Sequence, residues 1–333
     1  MGFQFMNNYR GIAILMVMLA HSISTVKSIK PLETNIVSLV DLHMDNCTLL
    51  FVAVAGYFFS VLSSNYSYLP FLKNKFKAVV CPYFFISIPM ITLYIFNFKH
   101  NHRWIDLNWF HESLDPLSQY LLLMLTGAHL GPLWFVPMII IFYVVSPIFI
   151  FIQNNRSLLV SFIFSLGIAV YLGRPGLNEN TFHSFAYFLP AFFLGMLLSE
   201  KKNWYECISK YSDLLLLSYV VLVSAIYLNI EVNSSIDLFI KLTLAFLMFA
   251  FLFKRLNYKV PWLDLFARLS FYLFFIHGYF TGLARMIFRK STFEVEEVSA
   301  FILVFIYIVF MSLSSYVVCK LILKDKTKII LGA

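Results

Sequence analysis

Long, almost uncharged apolar runs recur along the whole chain, separated by short polar segments. A helix needs about 20 mostly apolar residues to cross about 30 Å of hydrocarbon. The segments that qualify lie near 8–26, 43–63, 79–98, 132–152, 156–173, 183–199, 212–230, 235–254, 265–287 and 298–322. A further apolar stretch, 117–128, is too short to span and is predicted to be re-entrant or interfacial. The pattern predicts an all-α integral membrane protein, with about ten transmembrane helices in one bundle and a single domain over 1–333.

The composition agrees with this class of protein. Hydrophobic residues make up 60% of the chain and charged residues 13%, whereas a soluble domain has about 25% charged residues. The basic residues are scattered between apolar runs, which argues against nucleic-acid binding as the reason for the net charge of +8. The first apolar run leads into Lys27 without a small-residue cleavage site, so we expect it to remain as a helix.

No metal site is predicted. The four cysteines lack metal-ligand spacing and are expected to be packing residues, and the histidines of the outer loops form no recognisable metal motif. These residues are Cys47, Cys81, Cys207, Cys319, His100, His102, His111 and His129.

The distribution of Lys and Arg predicts the orientation. If the N-terminus is cytoplasmic, sixteen of them fall in inner segments and eight in outer loops, while most acidic residues fall outside. Short cytoplasmic loops are enriched in Lys and Arg, so both termini are predicted to be cytoplasmic. The eight outer cations are Lys27, Lys30, Lys99, Arg103, Arg174, Arg285, Arg289 and Lys290.

Arg10 and His21 in the first segment are candidates for chemistry, because titratable groups at membrane depth are costly. Eleven residues correspond to three helical turns and about 20°, so both lie on one face about 16 Å apart. Arg10 lies near the cytoplasmic interface, where a guanidinium can bind phosphate, or it simply snorkels to that interface. His21 lies beyond the midplane; the alternative to a catalytic role is a buried histidine that hydrogen-bonds to a neighbouring helix.

His277 lies about twelve residues along the ninth segment, which runs in the same direction as the first. Its depth is therefore similar to that of His21. Two imidazoles at one level indicate a shared polar cavity, unless they face different neighbours.

Three further features of the sequence are weaker indications of a functional site. Lys73, Lys75 and Lys77 precede the third segment on the cytoplasmic side, where they would bind donor phosphates or anionic headgroups or act as topological anchors. Gly56-Tyr57 is a place where a ligand or another helix can approach closely. Trp134 at the outer face suits either sugar stacking or the aromatic belt.

At these residues the sequence resembles the acyltransferase-3 family of membrane acyltransferases. The resemblance is carried by the basic residue and histidine separated by ten residues, then by four weaker matches, which are Gly56-Tyr57, the lysines before Pro82-Tyr83, Leu133-Trp134-Phe135, and Ser270 to His277. Ala55 stands where family members often have serine, and lysines stand where arginines are frequent.

The resemblance implies an O-acyltransferase of the bacterial inner membrane. The donor would be acyl-CoA, usually acetyl-CoA, with no permanently bound cofactor, and the acceptor a hydroxyl of a cell-surface polysaccharide or lipid-linked sugar. His21, Arg10 and His277 would be catalytic, with Arg10, Lys75 and Lys77 on the donor phosphates and Trp134 and Tyr57 on the acceptor. A neutral imidazole would deprotonate the hydroxyl or carry the acyl group as a relay.

Two other classes of membrane protein fit a many-helix bundle with a polar cavity. One is a polysaccharide exporter or flippase. The other is a small-molecule transporter, although no matching pair of Gly/Pro-broken helices is apparent. Membrane lipids are expected partners in every case.

Overall fold

The computed structural model describes residues 4–29, 32, 34–176, 179–290 and 296–332. Within these residues the chain is helical and contains no strand. The first half comprises α1 (Gln4–Lys27), α2 (Asn35–Met44), α3 (Thr48–Val61), α4 (Tyr68–Lys75), α5 (Cys81–Ile95), α6 (Leu107–Ser113), α7 (Pro116–Thr126), α8 (Phe135–Val144) and α9 (Ser146–Asn154). The second half comprises α10 (Leu158–Leu172), α11 (Thr181–Glu200), α12 (Lys202–Ser209), α13 (Ser212–Asn229), α14 (Ser234–Arg255), α15 (Pro261–Arg268), α16 (Ser270–Lys290), α17 (Glu297–Leu323) and α18 (Thr327–Leu331).

The prediction of an all-α membrane bundle is confirmed. Eight helices in the described chain are long and apolar enough to cross a membrane, and α7 with residues 131–144 makes a ninth if that bent pair counts as one span. The fifteen-residue helix α10 is apolar but shorter. These elements correspond to the ten predicted segments plus the short stretch at 117–128, so a count of about ten agrees with the structure.

The third span is longer than its hydropathy indicates. α4, a π-helical turn at Phe76–Val80 and α5 follow one another without a break, so this span extends over Tyr68–Ile95 and begins about eleven residues before the predicted start. Lys73, Lys75 and Lys77 therefore lie inside it and not ahead of it. Lysine is tolerated there because its long aliphatic stem packs on apolar surface while the ammonium reaches water.

The segment predicted at 132–152 is broken. A 3₁₀ turn at Gly131–Trp134 precedes α8, and α8 and α9 are separated at Val145. Pro147 occupies the first turn of α9, where its missing N–H costs nothing but prevents α8 from continuing. α7 meets residues 131–144 at an angle of 76°, so the stretch predicted to be re-entrant or interfacial is the first arm of a sharp bend.

A seam between α3 and α11 forms a tightly packed part of the core. A Cβ at Gly56 would collide with the backbone carbonyl of Phe192, and a Cβ at Gly195 would collide with that of Ala53. Small residues allow such backbone approach between membrane helices. Of the alternatives for Gly56, the structure therefore supports helix packing.

A buried lysine stabilises the backbone where α2 ends and α3 begins. Lys241 of α14 is completely buried, and its Nζ donates to the carbonyls of Leu42 and His43, each at 2.8 Å. Asp237, one turn earlier on α14, lies 3.8 Å from the same ammonium. The last carbonyls of α2, which have no partner within their own helix, are thereby satisfied.

Candidate functional site

The two membrane histidines lie against each other. His21 on α1 and His277 on α16 have ring centroids 5.1 Å apart and ring planes at 51°. His277 is fully buried, whereas His21 is half-buried and makes no hydrogen bond through its ring to another described residue. The prediction that both rings occupy one level therefore corresponds to a direct contact in the structure. We call these two side chains the histidine pair.

The hydrogen bonds of His277 determine its tautomer. Its Nδ1 lies 2.8 Å from the carbonyl oxygen of Leu273, and because a carbonyl only accepts, Nδ1 must carry the hydrogen. In the neutral ring Nε2 is then an unprotonated acceptor. That atom is buried and has no hydrogen-bond partner among the described residues. A buried lone pair without a hydrogen bond is costly. The lone pair of His277 Nε2 can therefore accept a hydrogen bond from a donor that enters the site.

Arg10 is fixed at the other end of the same helix pair. Its Nη2 donates to Ser270 Oγ at 2.8 Å, and Ser270 is buried at the start of α16. Along the helix axes, Arg10 lies about 16 Å from His21, and Ser270 lies about 10 Å from His277. The long side chain of Arg10 spans the axial offset of about 6 Å between Arg10 and Ser270. α1 and α16 thus run side by side, with a cation at the N-terminal end of their contact and two imidazoles further along both helices.

Lys75 lies near Arg10, at the N-terminal end of the contact between α1 and α16. Its Nζ lies 5.4 Å from the centroid of Phe71 and 5.2 Å from that of Tyr143. The charge of Arg10 acts on both Lys75 and Tyr143. In the described chain neither Arg10 nor Lys75 forms an ion pair, so the two cations are available to an anion. Lys77, in contrast, is exposed on the π-helical turn.

The chain segment that contains Trp134 packs near the histidine pair. A Cβ at Gly278 would lie 2.8 Å from Pro132 Cδ, so the 3₁₀ turn that carries Trp134 presses against α16 next to His277. Phe274 connects the two regions, with its ring centroid 5.0 Å from Phe135 and 5.8 Å from His277. The half-buried indole itself stacks 5.5 Å from Phe188.

Tyr57 does not lie near the histidine pair. It is buried in an aromatic cluster with ring centroids 6.2 Å from Phe5 and 5.4 Å from Phe249. Phe5 is sixteen residues before His21 on α1, about 24 Å along the axis. The structure therefore places the two residues predicted to contact the acceptor, Tyr57 and Trp134, in separate parts of the bundle.

Sequence reasoning missed a further buried histidine. His129 was predicted to lie in an outer loop, but it is fully buried. Its Nδ1–H donates to the carbonyl of Leu123 at 3.0 Å, which leaves Nε2 to accept from Ser87 Oγ at 2.8 Å. The bend between α7 and α8 carries it inward. The nearby Gly127, with a left-handed φ of 68° at the end of α7, was the available signal for that turn.

Fold and site together define a polytopic membrane protein with a titratable centre between two parallel spans. A family model described as an acyltransferase domain matches residues 3–320. The chain therefore belongs to the acyltransferase-3 family and is a multi-pass membrane acyltransferase. Searches of curated proteins and of solved structures gave no match.

Proposed function

We propose that the protein is an O-acyltransferase of the bacterial inner membrane that moves an acyl group, acetyl in the simplest case, from acyl-CoA to a hydroxyl of a cell-surface polysaccharide or its lipid-linked precursor. The observation that carries the proposal is the histidine pair, with a partnerless Nε2, in line with a guanidinium at the inner end of the same two helices.

The proposed binding site for the acyl-CoA donor is inferred from two positively charged side chains. CoA is cytoplasmic and polyanionic, and Arg10 and Lys75 are two cations without a carboxylate partner in the described chain. A guanidinium binds phosphate through two parallel hydrogen bonds, while the ammonium of Lys75 acts as a point charge. Lys77 is exposed two residues further along the same span and adds a third positive charge. The extended pantetheine arm then carries the thioester along α1 toward His21.

The chemistry follows from the tautomer of His277. The acceptor hydroxyl attacks the thioester carbonyl, forming the C–O bond as its proton passes to the imidazole Nε2. The tetrahedral intermediate collapses by breaking the C–S bond, and the proton passes to the departing thiolate. The products are an ester and CoA thiol. In the relay route a ring nitrogen of His21 attacks the thioester carbonyl, the C–S bond breaks and CoA leaves as the thiol. The acceptor hydroxyl then attacks the acyl group, the acyl–nitrogen bond breaks, and the ester and the free imidazole result.

The test is substitution of each histidine of the pair. His21→Ala and His277→Ala cells should lose acyl esters from surface glycans, as measured by mass spectrometry, with total surface glycan and protein level unchanged. His43→Ala is the matched control, because His43 also lies in a spanning helix but bonds to Ser224 Oγ at 3.0 Å. Full esterification in either pair variant would overturn the proposal. Loss of the glycan itself would instead indicate an exporter.

A further inference from the structure

Four cations lie on the outer side of the histidine pair, where short loops ordinarily carry few. Lys99 and Arg103 belong to the loop after α5, and Arg285 and Arg289 to the outer half of α16. We call these four residues the outer cation cluster. Lys30 and Glu294 lie outside the described residues, and the side chain of Lys290 is not described.

The two arginines of α16 lie further outward along that helix than the histidine pair. Arg285 is eight residues beyond His277, about 12 Å along the axis. Arg289 is one turn further, and its Nη2 lies 3.4 Å from the carbonyl oxygen of Ser28. Ser28 in turn follows His21 by seven residues, which is the same face of α1. The outer ends of both helices thus approach each other at the contact between Arg289 and Ser28, about 18 Å along the axis beyond His277.

The loop of Lys99 and Arg103 is folded back over this region. Lys99 Nζ lies 4.8 Å from the ring centroid of Tyr94 and 3.8 Å from the sulfur of Met90. His102 Nε2 donates to the carbonyl of Ala128 at 3.0 Å, two residues before Leu130. A Cβ at Gly278 would lie 2.9 Å from Leu130 Cγ, so the loop is held close to α16.

The charges of the cluster act on one another and on the histidine pair. Arg103 and Arg285 both act on His21, and Arg103 and Arg289 both act on Arg285. Burial, and then the charge of Arg285, lowers the pKa of Lys99. Like charges gathered in a partly buried place repel one another and are expensive unless an anion joins them.

The described chain supplies no such anion. None of its carboxylates forms an ion pair with a member of the cluster, and Arg285 Nε is buried without a hydrogen-bond partner. Other outer cations do have partners, since Lys27 lies 3.0 Å from Asp41 and Arg174 lies 3.3 Å from Asp45.

We propose that the outer cation cluster, centred on Arg285, binds a phosphate or carboxylate group of the acceptor and so selects anionic glycans or phosphate-linked precursors. This inference rests on the proposed acyltransferase function. Arginine suits either group, because its planar fork matches both phosphate and carboxylate oxygens. The bound anion would anchor the acceptor outward of the histidine pair, leaving a hydroxyl elsewhere on the molecule to reach the imidazoles.

Binding to right-side-out vesicles that carry the full chain tests the outer face alone. The probes are radiolabelled inorganic pyrophosphate and methyl glucuronide, with methyl glucoside as the neutral comparison. The wild type should bind at least one anionic probe and not the glucoside. Arg285→Gln should weaken that binding by about tenfold or more, as expected for losing a charge-assisted hydrogen bond. A preference for pyrophosphate assigns a phosphate-linked acceptor, and a preference for the glucuronide an acidic sugar.

The matched control is Arg174→Gln, an outer arginine that already has a carboxylate partner, and its binding should be unchanged. Arg103→Gln, on the exposed loop, provides a second variant in case Arg285→Gln does not reach the membrane. Failure of both anionic probes to bind, or equal binding by the Arg285 and Arg174 variants, would overturn the proposal. Repeating the titration in phosphatidylcholine nanodiscs with added phosphatidylglycerol distinguishes a lipid site. If that lipid abolishes the Arg285-dependent binding, the cluster holds headgroups and the proposal is wrong.

Glycan esterification in His21→Ala cells tests the acyltransferase function separately. If those cells keep their esters while Arg285-dependent anion binding persists, the proposed function fails, and the binding site stands without its assigned acceptor. If the His21→Ala cells lose their esters but the wild-type protein binds neither anionic probe, only the assignment of the acceptor fails.

Discussion

The hydrogen bond between Arg10 and Ser270 offers a direct test of the donor site. Ser270→Ala removes only the hydroxyl that accepts from Arg10 Nη2 at 2.8 Å. The guanidinium keeps its charge, but it loses the contact that fixes its position against α16. If Arg10 binds the donor as proposed, Ser270 positions it, and loss of the hydroxyl should act on donor binding.

The magnitude follows from the environment of this bond. A hydrogen bond to a charged group contributes about 1.5–3 kcal/mol. Ser270 is buried but Arg10 is only half-buried, so water can replace part of the lost interaction. We expect a loss of about 1–2 kcal/mol, which is a factor of about 5–30 in an equilibrium constant. The dissociation constant of acetyl-CoA should rise by that factor, and kcat should change little.

Titration of the protein in nanodiscs with acetyl-CoA measures this constant, and steady-state acyl transfer gives KM and kcat. Ser165→Ala is the matched control, because Ser165 is a buried serine of α10 whose hydroxyl donates only to Phe162 of its own helix. An unchanged donor affinity in Ser270→Ala, or an equal change in the control, would show that Arg10 does not hold the donor. A fall in kcat alone would refute its positioning role.

Three further predictions concern stability. Lys241→Met should destabilise the protein by about 3 kcal/mol, because it leaves two buried carbonyls and the half-buried Asp237 without their cation; a thermal-unfolding midpoint equal to that of wild type would contradict this. Gly56→Leu should prevent α3 and α11 from packing, and a normal yield of folded protein would argue against the seam. Burial foremost lowers the pKa of His102 below its ordinary value of about 6.5, so its neutral form stabilises the loop above that pH and the contribution is lost as the pH falls through the folded value. Protection factors of the amides of residues 99–106, which are corrected for the intrinsic exchange rate at each pH, should fall on acidification in wild type and lose this dependence in His102→Gln; the same fall in both would refute the assignment.

The spans were predictable from sequence because each must satisfy its own backbone in lipid. The boundaries of the spans were less predictable. The lysines of the third span concealed a helix that begins at Tyr68, because lysine stems can remain in an apolar helix. Conversely, the apolar run around Val145 concealed a break, which Pro147 would have indicated.

The level of the histidine pair was predictable by counting residues from the membrane interface, since each residue rises 1.5 Å. The contacts were not, because they depend on how separate helices rotate about their axes. Counting residues does not show that Ser270 faces Arg10, or that Lys75 lies between aromatic rings while Lys77 is exposed. Nor does it place Tyr57 among Phe5 and Phe249, away from the imidazoles.

The seam between α3 and α11 has a consequence for motion. Each helix inserts a glycine against a carbonyl of the other, at Gly56 and at Gly195, so neither can slide or turn without a backbone collision. These two helices therefore form a fixed wall of the protein. If the acceptor is a sugar chain as proposed, its entry and the exit of the product require displacement of other helices.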